Sequence, residues 1–361
     1  MPLSEEAGLH VDPVSSPASG EVHVAVRTSY AYRPIALRDA AGEAVLVPLE
    51  HQLTGDVLLA VGLLGRLTLS LDLPVVIAQT GDDSALDARA ERLVERGGPP
   101  LAALGDPAFG LKATLVAPER DRSGLAQGFG LAFVNRLAVP LGDERGFLGE
   151  GSVSNDARLL ADLGLGAVSL HLGAGVKLRG DEGRYACDPD EAEASCASRF
   201  GHELPFVGGV ALHPRALGLD DEGRATLFVE TRGWLPLAPI APFEASEPAG
   251  WFASVAGRYR FGDVSLVGGV EWALADGVGN APLRVTLGLS FAPRGSDADD
   301  DGLDDSVDAC PHDREDFDGY EDRDGCPELD NDGDRIPDEL DACPDRAGSA
   351  ETRGCPGLLP D

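Results

Sequence analysis

From Glu21 to Phe291 apolar and polar residues alternate with a period of two, the spacing of strands whose two faces meet different surroundings. The first apolar face reads Val22, Val24, Val26, Thr28, Tyr30, and it is followed by Leu53 to Val61 and by Leu67 to Val75 at every second residue. Further faces are Phe109-Leu111-Ala113-Leu115, Leu125 with Phe129-Leu131-Phe133, Leu159-Ala161-Leu163 and Val168-Leu170-Leu172-Ala174-Val176. Then come Phe206-Gly208-Val210-Leu212, Leu227-Val229-Thr231, Trp251 to Tyr259, Val264 to Trp272 and Leu283 to Phe291. The pattern predicts an all-β unit of twelve strands.

Two features favour a transmembrane barrel over a soluble sandwich. No charged residue falls on an apolar face, whereas Lys112, Arg158, Asp162, His171, Lys177, Glu230, Arg232, Arg258, Glu271 and Arg284 occupy the opposite ones. Small residues such as Gly128, Gly130 and Ala132 would relieve crowding in a lumen. The connections also alternate in length. Short turns are predicted near 64–66, 117–123, 164–166, 214–223 and 262–263, with long links near 33–50, 78–107, 140–155, 180–203, 235–249 and 274–281. Short periplasmic turns and long outer loops mark outer-membrane barrels, whose closed antiparallel wall leaves no backbone group unpaired in lipid. Tyr30, Tyr32, Trp234, Trp251, Trp272 and Phe291, at strand ends, suit interfacial girdles.

The predicted division is a disordered segment over 1–20, a barrel over 21–293 and an acidic arm over 294–361. The opening Met1-Pro-Leu-Ser-Glu-Glu has neither the basic start nor the apolar core of a signal peptide, so a leader is expected to lie upstream or to have been removed. No apolar run is long enough for a membrane helix. Composition changes the picture at one end. Net charge is −33, and residues 294–361 hold 24 Asp and Glu against 6 Arg, so −18 sits in that tail. Such a chain is not expected to bind nucleic acid through phosphates.

The acidic arm is patterned. Asp297, Asp299, Asp301, Asp305 and Asp308 stand at positions 1, 3, 5, 9 and 12 of a twelve-residue loop, with Leu303 at position 7. Asp330, Asp332, Asp334, Asp338 and Asp341 repeat the spacing, with Ile336 at position 7. Between them Asp316, Asp318, Asp322 and Asp324 form a shorter unit, and an eroded one ends at Cys355-Pro356. Carboxylates at 1, 3 and 5, a backbone carbonyl at 7 and a group at 12 are a calcium-loop ligand set. Gly302 occupies position 6 of the first loop, where the chain turns sharply; Arg335 stands there in the second, which is the weaker candidate. The bland alternative is a solvated acidic linker without metal.

This stretch resembles thrombospondin type 3 repeats, and the resemblance implies aspartates wrapped around Ca2+, almost no core, and disulfides between neighbouring units. The whole chain is similar to OmpA-like outer-membrane proteins that join a barrel to such repeats, through Ala31-Tyr-Arg-Pro-Ile-Ala-Leu-Arg-Asp39, Leu104-Gly-Asp-Pro107 and Leu283-Arg-Val-Thr-Leu-Gly-Leu-Ser-Phe-Ala-Pro293. That family commonly continues into a peptidoglycan-binding domain; this chain stops at Asp361, so cell-wall anchoring is not carried over. The six cysteines suit an oxidising compartment, and the preferred pairing is Cys187 with Cys196, Cys310 with Cys326 and Cys343 with Cys355, although sequence alone leaves connectivity open.

No nucleophile pattern stands out, and His23, His171 and His213 read as lumen polar groups, so no enzyme activity is expected. The lumen face leans basic. An open lumen would favour small anions; charge pairing across it would close it, and pairing is the favoured expectation. The expected function is an outer-membrane structural and binding protein carrying a calcium-stabilised periplasmic arm, with outer-membrane lipid, calcium ions and envelope proteins as partners. The alternatives are a narrow diffusion pore and a secreted calcium-binding adhesion protein.

Overall fold

The computed structural model describes residues 8–38, 44–81, 101–120, 125–143, 149–181, 183–185, 198–220, 223–238, 249–275, 280–293, 299, 308–316, 318, 320 and 324–356. Two compact units result, Met1–Pro293 and Arg294–Asp361.

In the first unit the strands are β1 (Val22–Arg38), β2 (Ala44–Leu63), β3 (Leu67–Thr80), β4 (Ala103–Leu104), β5 (Ala108–Val116), β6 (Glu119–Arg120), β7 (Ala126–Ala138) and β8 (Ser154–Leu165). The remainder are β9 (Val168–Arg179), β10 (Gly183–Tyr185), β11 (Ser198–Phe200), β12 (His202–Leu212), β13 (Ala225–Ala238), β14 (Gly250–Phe261), β15 (Val264–Ala273) and β16 (Leu283–Phe291). Twelve of them form a closed antiparallel ring in the order β1, β2, β3, β5, β7, β8, β9, β12, β13, β14, β15, β16. The ring shuts where β1 meets β16, with Val24 opposite Phe291 and Tyr32 opposite Leu283. Short β4 and β6 extend single neighbours, and β10 with β11 makes a separate hairpin.

Strand parity decides which side chains meet lipid. Leu172, Leu287, Val229 and Leu159 are 54–65 % exposed, and the outward faces of all twelve ring strands continue this apolar surface. A belt of this extent greatly exceeds the few hundred Å² of apolar patch tolerated on a soluble monomer. The unit is a transmembrane barrel. Among the described residues no helix is long and apolar enough to cross a membrane; strands make the crossing. Outward aromatics fall at two heights, Trp251, Trp272 and Tyr30 toward the long-loop end and Tyr259, Phe261 and Phe291 at the short-turn end. Trp234 departs from the girdle reading. It faces inward, its ring 5.7 Å from that of buried Phe252, because residue 234 shares parity with Phe228 and Glu230.

The short turns near 64–66, 164–166 and 262–263 lie where the patterning places them, whereas those near 117–123 and 214–223 fall partly outside the described residues. Leu64 and Gly65 both take positive φ, 55° and 63°, the twist that a tight antiparallel turn requires. One predicted long link is largely strand. β1 runs on to Arg38 and β2 begins at Ala44, so most of 33–50 extends the wall through an irregular register between Tyr32 and Arg38.

The expectation of disorder over 1–20 is overturned for residues 8–20. This segment enters the barrel at the short-turn end, where Gly20 N–H donates to Gly62 O at 2.9 Å and Gly62 N–H donates to Glu21 O at 3.0 Å. It then runs inside the lumen. Leu9, Val11 and Val14 are 0–3 % exposed, buried as deeply as any core residue. Leu9 packs with Ala211, Phe228, Ala256 and Val267, and Val14 with Ala132 and Leu160. Full burial of each such side chain contributes about 1.5–3 kcal/mol. The wall is shaped for them: a Cβ at Gly209 would stand 2.7 Å from Val11, one at Gly130 2.4 Å from Val14, and one at Gly269 2.6 Å from Leu9.

Candidate functional site

The lumen face alternates with the lipid face, so each inward position on a ring strand aims a side chain at the inserted segment or its surroundings. Backbone N–H groups of a segment that pairs with no strand need other acceptors. Glu230 on β13 supplies one set. Its carboxylate accepts from Val11 N–H at 3.2 Å and from His10 N–H at 3.3 Å, and Ser254 Oγ supports it at 3.3 Å. Asp162 on β8 accepts from Val14 N–H at 2.8 Å on one oxygen and contacts His171 Nδ1 at 2.8 Å with the other. From the cationic side, Lys112 Nζ donates to Ser15 O at 2.6 Å and Pro13 O at 3.1 Å, and lies 3.5 Å from Asp12. Arg27 Nη1 donates to Leu9 O at 3.0 Å, and Thr114 Oγ1 to Val14 O at 2.6 Å.

At the deep end of the segment, His10 Nε2 lies 2.7 Å from Glu271. Glu271, 2 % exposed, also accepts two bonds from Arg232, at 2.6 and 2.7 Å, with Arg284 at 3.7 Å. The Arg232 guanidinium lies over the Phe252 ring, 4.5 Å from its centre. A second pair joins Arg136 to Asp72 at 2.6 Å, and Arg158 is paired with Asp156. Opposite charges therefore meet along the lumen, as the pairing expectation holds, and do not leave it a basic tube. Of the predicted lumen histidines, His171 pairs with Asp162, His213 meets Ser169 Oγ at 3.0 Å, and His23 lies 3.5 Å from Glu21. The one signal of the inserted segment in the sequence is the spacing of Leu9, Val11 and Val14, opposite inner-wall glycines that periodicity cannot identify.

The second unit holds the other candidate. Asp297, Asp301, Leu303, Asp305 and Asp322, with Cys187 and Cys196, lie outside the described residues. In the second loop Asp330, Asp332 and Asp334 bring carboxylate oxygens within 4.8 Å of one another. Asp330 folds the loop by accepting from Gly333 N–H at 3.0 Å and Arg335 N–H at 2.8 Å, and Asp334 accepts from Ile336 N–H at 2.9 Å and Gly348 N–H at 2.8 Å. Arg335 takes φ 78°, so it makes the left-handed turn for which position 6 favours glycine. Asp338 closes back onto Asn331 N–H at 3.2 Å, and Asn331 Nδ2 reaches Asp318 at 2.6 Å. Glu315, Asp316 and Glu328 form a second carboxylate group, of which the sequence pattern named only Asp316.

A repeated cap explains the cysteine spacing. Asp308, Asp324 and Asp341 each accept from the N–H of the cysteine two residues on, at 2.7, 3.1 and 2.6 Å. Disulfides join Cys310 to Cys326 and Cys343 to Cys355, and there is no free cysteine among the described residues. Asp308 and Asp341, at position 12, each keep a second oxygen that is buried without a hydrogen-bond partner, as does Asp332. Burial and the neighbouring Asp334, Asp341 and Asp330 raise the Asp332 pKa from its ordinary value, whereas hydrogen bonds from Asn331 and the Tyr320 N–H lower that of Asp318. Such leftover oxygens on converging carboxylates fit a hard divalent cation.

No protein-family model matches the chain, and no curated protein matches it. Among solved structures, an outer-membrane channel from Pseudomonas putida F1 superposes with a TM-score of 0.51 at 17 % identity, covering 78 % of this chain and 100 % of that one. The first unit has the fold of an outer-membrane β-barrel. The NanC porin matches at 8 % identity over 74 % of this chain and 98 % of its own, with a TM-score of 0.43. Within this barrel fold the inserted segment and its charged anchors are the functional site to be explained.

Proposed function

We propose that the protein is an outer-membrane transport barrel held closed by its own residues 8–20. The observation that carries this is the set of wall charges, Glu230, Asp162, Lys112 and Arg27, directed at backbone groups of the inserted segment. Solvation of that backbone by side chains, in place of strand pairing, gives a closure that can be released without breaking the ring. The test is conductance in planar bilayers. Deleting residues 1–19 is expected to turn a nearly silent protein into one with stable open channels; equal silence before and after deletion would defeat the reading.

A second reading concerns residues 294–361, which resemble thrombospondin type 3 repeats in an OmpA-like chain. We infer that this arm binds Ca2+ through Asp330, Asp332, Asp334 and Asp341, with the Ile336 carbonyl, and in the same manner through Asp297, Asp299, Asp301, Leu303, Asp305 and Asp308. Its support is the convergence of Asp330, Asp332 and Asp334 together with the leftover oxygens at positions 3 and 12. β16 ends at the short-turn end of the barrel, which favours a periplasmic arm placed to touch envelope components. Calcium titration of the full chain followed by calorimetry checks it, with saturable heat expected from the parent and reduced heat from Asp332→Asn.

A further inference from the structure

Between the inserted segment and the wall of β3, β5, β7 and β8 the lumen keeps a cavity of about 70 Å³. At 10–15 Å³ each, that is room for roughly five to seven waters, or a solute of about as many heavy atoms. Strand register puts polar groups on its wall in rows. Thr68, Lys112, Val134 and Arg158 face one another across four strands, and Ser70, Gly110, Arg136 and Asp156 form the next row. Gly110 is bare for a reason. A Cβ there would stand 2.1 Å from Ser70 Oγ, and its absence lets Arg136 lie across β5 to reach Asp72.

The charges on this wall are unevenly satisfied. Lys112 is occupied by the inserted segment. Arg136 uses Nη2 on Asp72 Oδ2 at 2.6 Å, and Arg158 binds Asp156 through Nε and Nη2. Asp72, whose side chain is 10 % exposed, keeps Oδ1 buried with no hydrogen-bond donor. Asp72, one of whose oxygens lacks a donor, therefore lines one small chamber together with two guanidinium-bearing residues, Arg136 and Arg158.

We propose that this chamber is a subsite for a small zwitterion, an α-amino acid of about alanine's size. Its ammonium donates to Asp72 Oδ1, and its carboxylate accepts from Arg136 and Arg158. A lone cation would meet both guanidinium groups, and a lone anion would leave the Asp72 oxygen without a donor. A molecule carrying both charges satisfies both walls. Apolar residues of the lining, among them Leu58, Leu160 and Val207, suit a short aliphatic side chain.

The proposal deepens the transport reading and rests on it for its purpose, but binding is read without conduction. Detergent-solubilised full-length protein is mixed with L-alanine, acetate or methylammonium, and saturation-transfer NMR follows each titration. Alanine is expected to bind saturably and at least tenfold more tightly than either single-charge probe. Asp72→Asn should weaken alanine about tenfold or more, and Ser70→Leu, which fills the chamber and removes no charge, should abolish it. Absence of saturable alanine transfer, acetate or methylammonium binding as tightly as alanine, or unchanged affinity in a folded Ser70→Leu variant would each overturn the subsite. Alanine binding by a protein that stays silent after deletion of 1–19 would sink transport and leave the subsite; open channels without alanine binding would do the reverse.

Discussion

The carboxylate of Glu230, on the barrel wall, accepts the backbone N–H of Val11, 219 residues earlier in the chain, at 3.2 Å. Hydrogen bonds to a charged acceptor contribute about 1.5–3 kcal/mol each, and every 1.4 kcal/mol is roughly tenfold in a population. Glu230→Gln keeps the shape and removes the charge, so residues 8–20 should leave the lumen tenfold more often. Limited proteolysis of folded protein would show it as faster cleavage within 8–20, with the ring strands still protected.

Steric displacement offers a route that leaves the charges alone. A side chain at Gly209 would meet Val11, whereas a Cβ at Gly257 would meet nothing closer than Leu227, 3.7 Å away on the lipid face. Gly209→Leu should therefore raise bilayer conductance, and Gly257→Leu should not. Both are expected to keep heat-modifiable gel migration, the sign of an intact ring.

Glu271 serves His10, Arg232 and Arg284 together. Its replacement by Gln leaves Arg232 and Arg284 facing each other without their common counter-charge. Breaking a buried pair of this kind costs about 3–5 kcal/mol. Thermal unfolding in detergent should drop accordingly, and the double variant Glu271→Gln with Arg232→Met should recover part of the loss.

In the arm Arg335 and Arg353 both take positive φ, and Arg335 is the one that stands in the predicted calcium loop. A left-handed conformation costs a residue with a Cβ about 1–2 kcal/mol, partly offset in glycine by the freer unfolded chain. Arg335→Gly should tighten calcium binding severalfold in calorimetry, and Arg335→Pro should abolish it, because proline holds φ near −65°.

Acid should act on the arm with a definite sign. Asp332 has a folded pKa above the ordinary 3.8, so its stabilising share is fully present below that value and is lost as pH rises through the raised one. In chelator, the hydrogen-exchange protection of residues 324–356, after correction for the intrinsic rise of amide exchange with pH, should accordingly fall as pH rises above about 4. Added calcium should reverse the trend by occupying the ionised carboxylates.

The ring was readable in the chain because lipid demands an unbroken rule. Every second residue from Phe109 to Leu115, or from Leu283 to Phe291, must be apolar or small, and nothing local competes with that demand. Trp234 broke the rule by parity alone: its size pointed to the girdle while its position pointed to the lumen. The inserted segment was harder still. Leu9, Val11 and Val14 have no period long enough to detect, and their partners Gly130, Gly209 and Gly269 signal by lacking side chains. The wall charges were visible as a set, but Glu230, Asp162 and Lys112 aim at main-chain atoms, which no side-chain pattern encodes. In the arm, the Asp and Cys spacings were plain from position to position, whereas the capping of each cysteine N–H by the aspartate before it appears only once the chain is folded.

The pair of bonds between Gly20, Glu21 and Gly62 has a mechanical meaning. β1 is both the continuation of the inserted segment and one edge of the seam with β16, so a pull on the segment would otherwise load the very strand that keeps the cylinder shut. By tying the chain to β2 just before β1 begins, Gly62 acts as an anchor point that takes the tension first. Were residues 8–20 drawn out as proposed, the seam would carry no load.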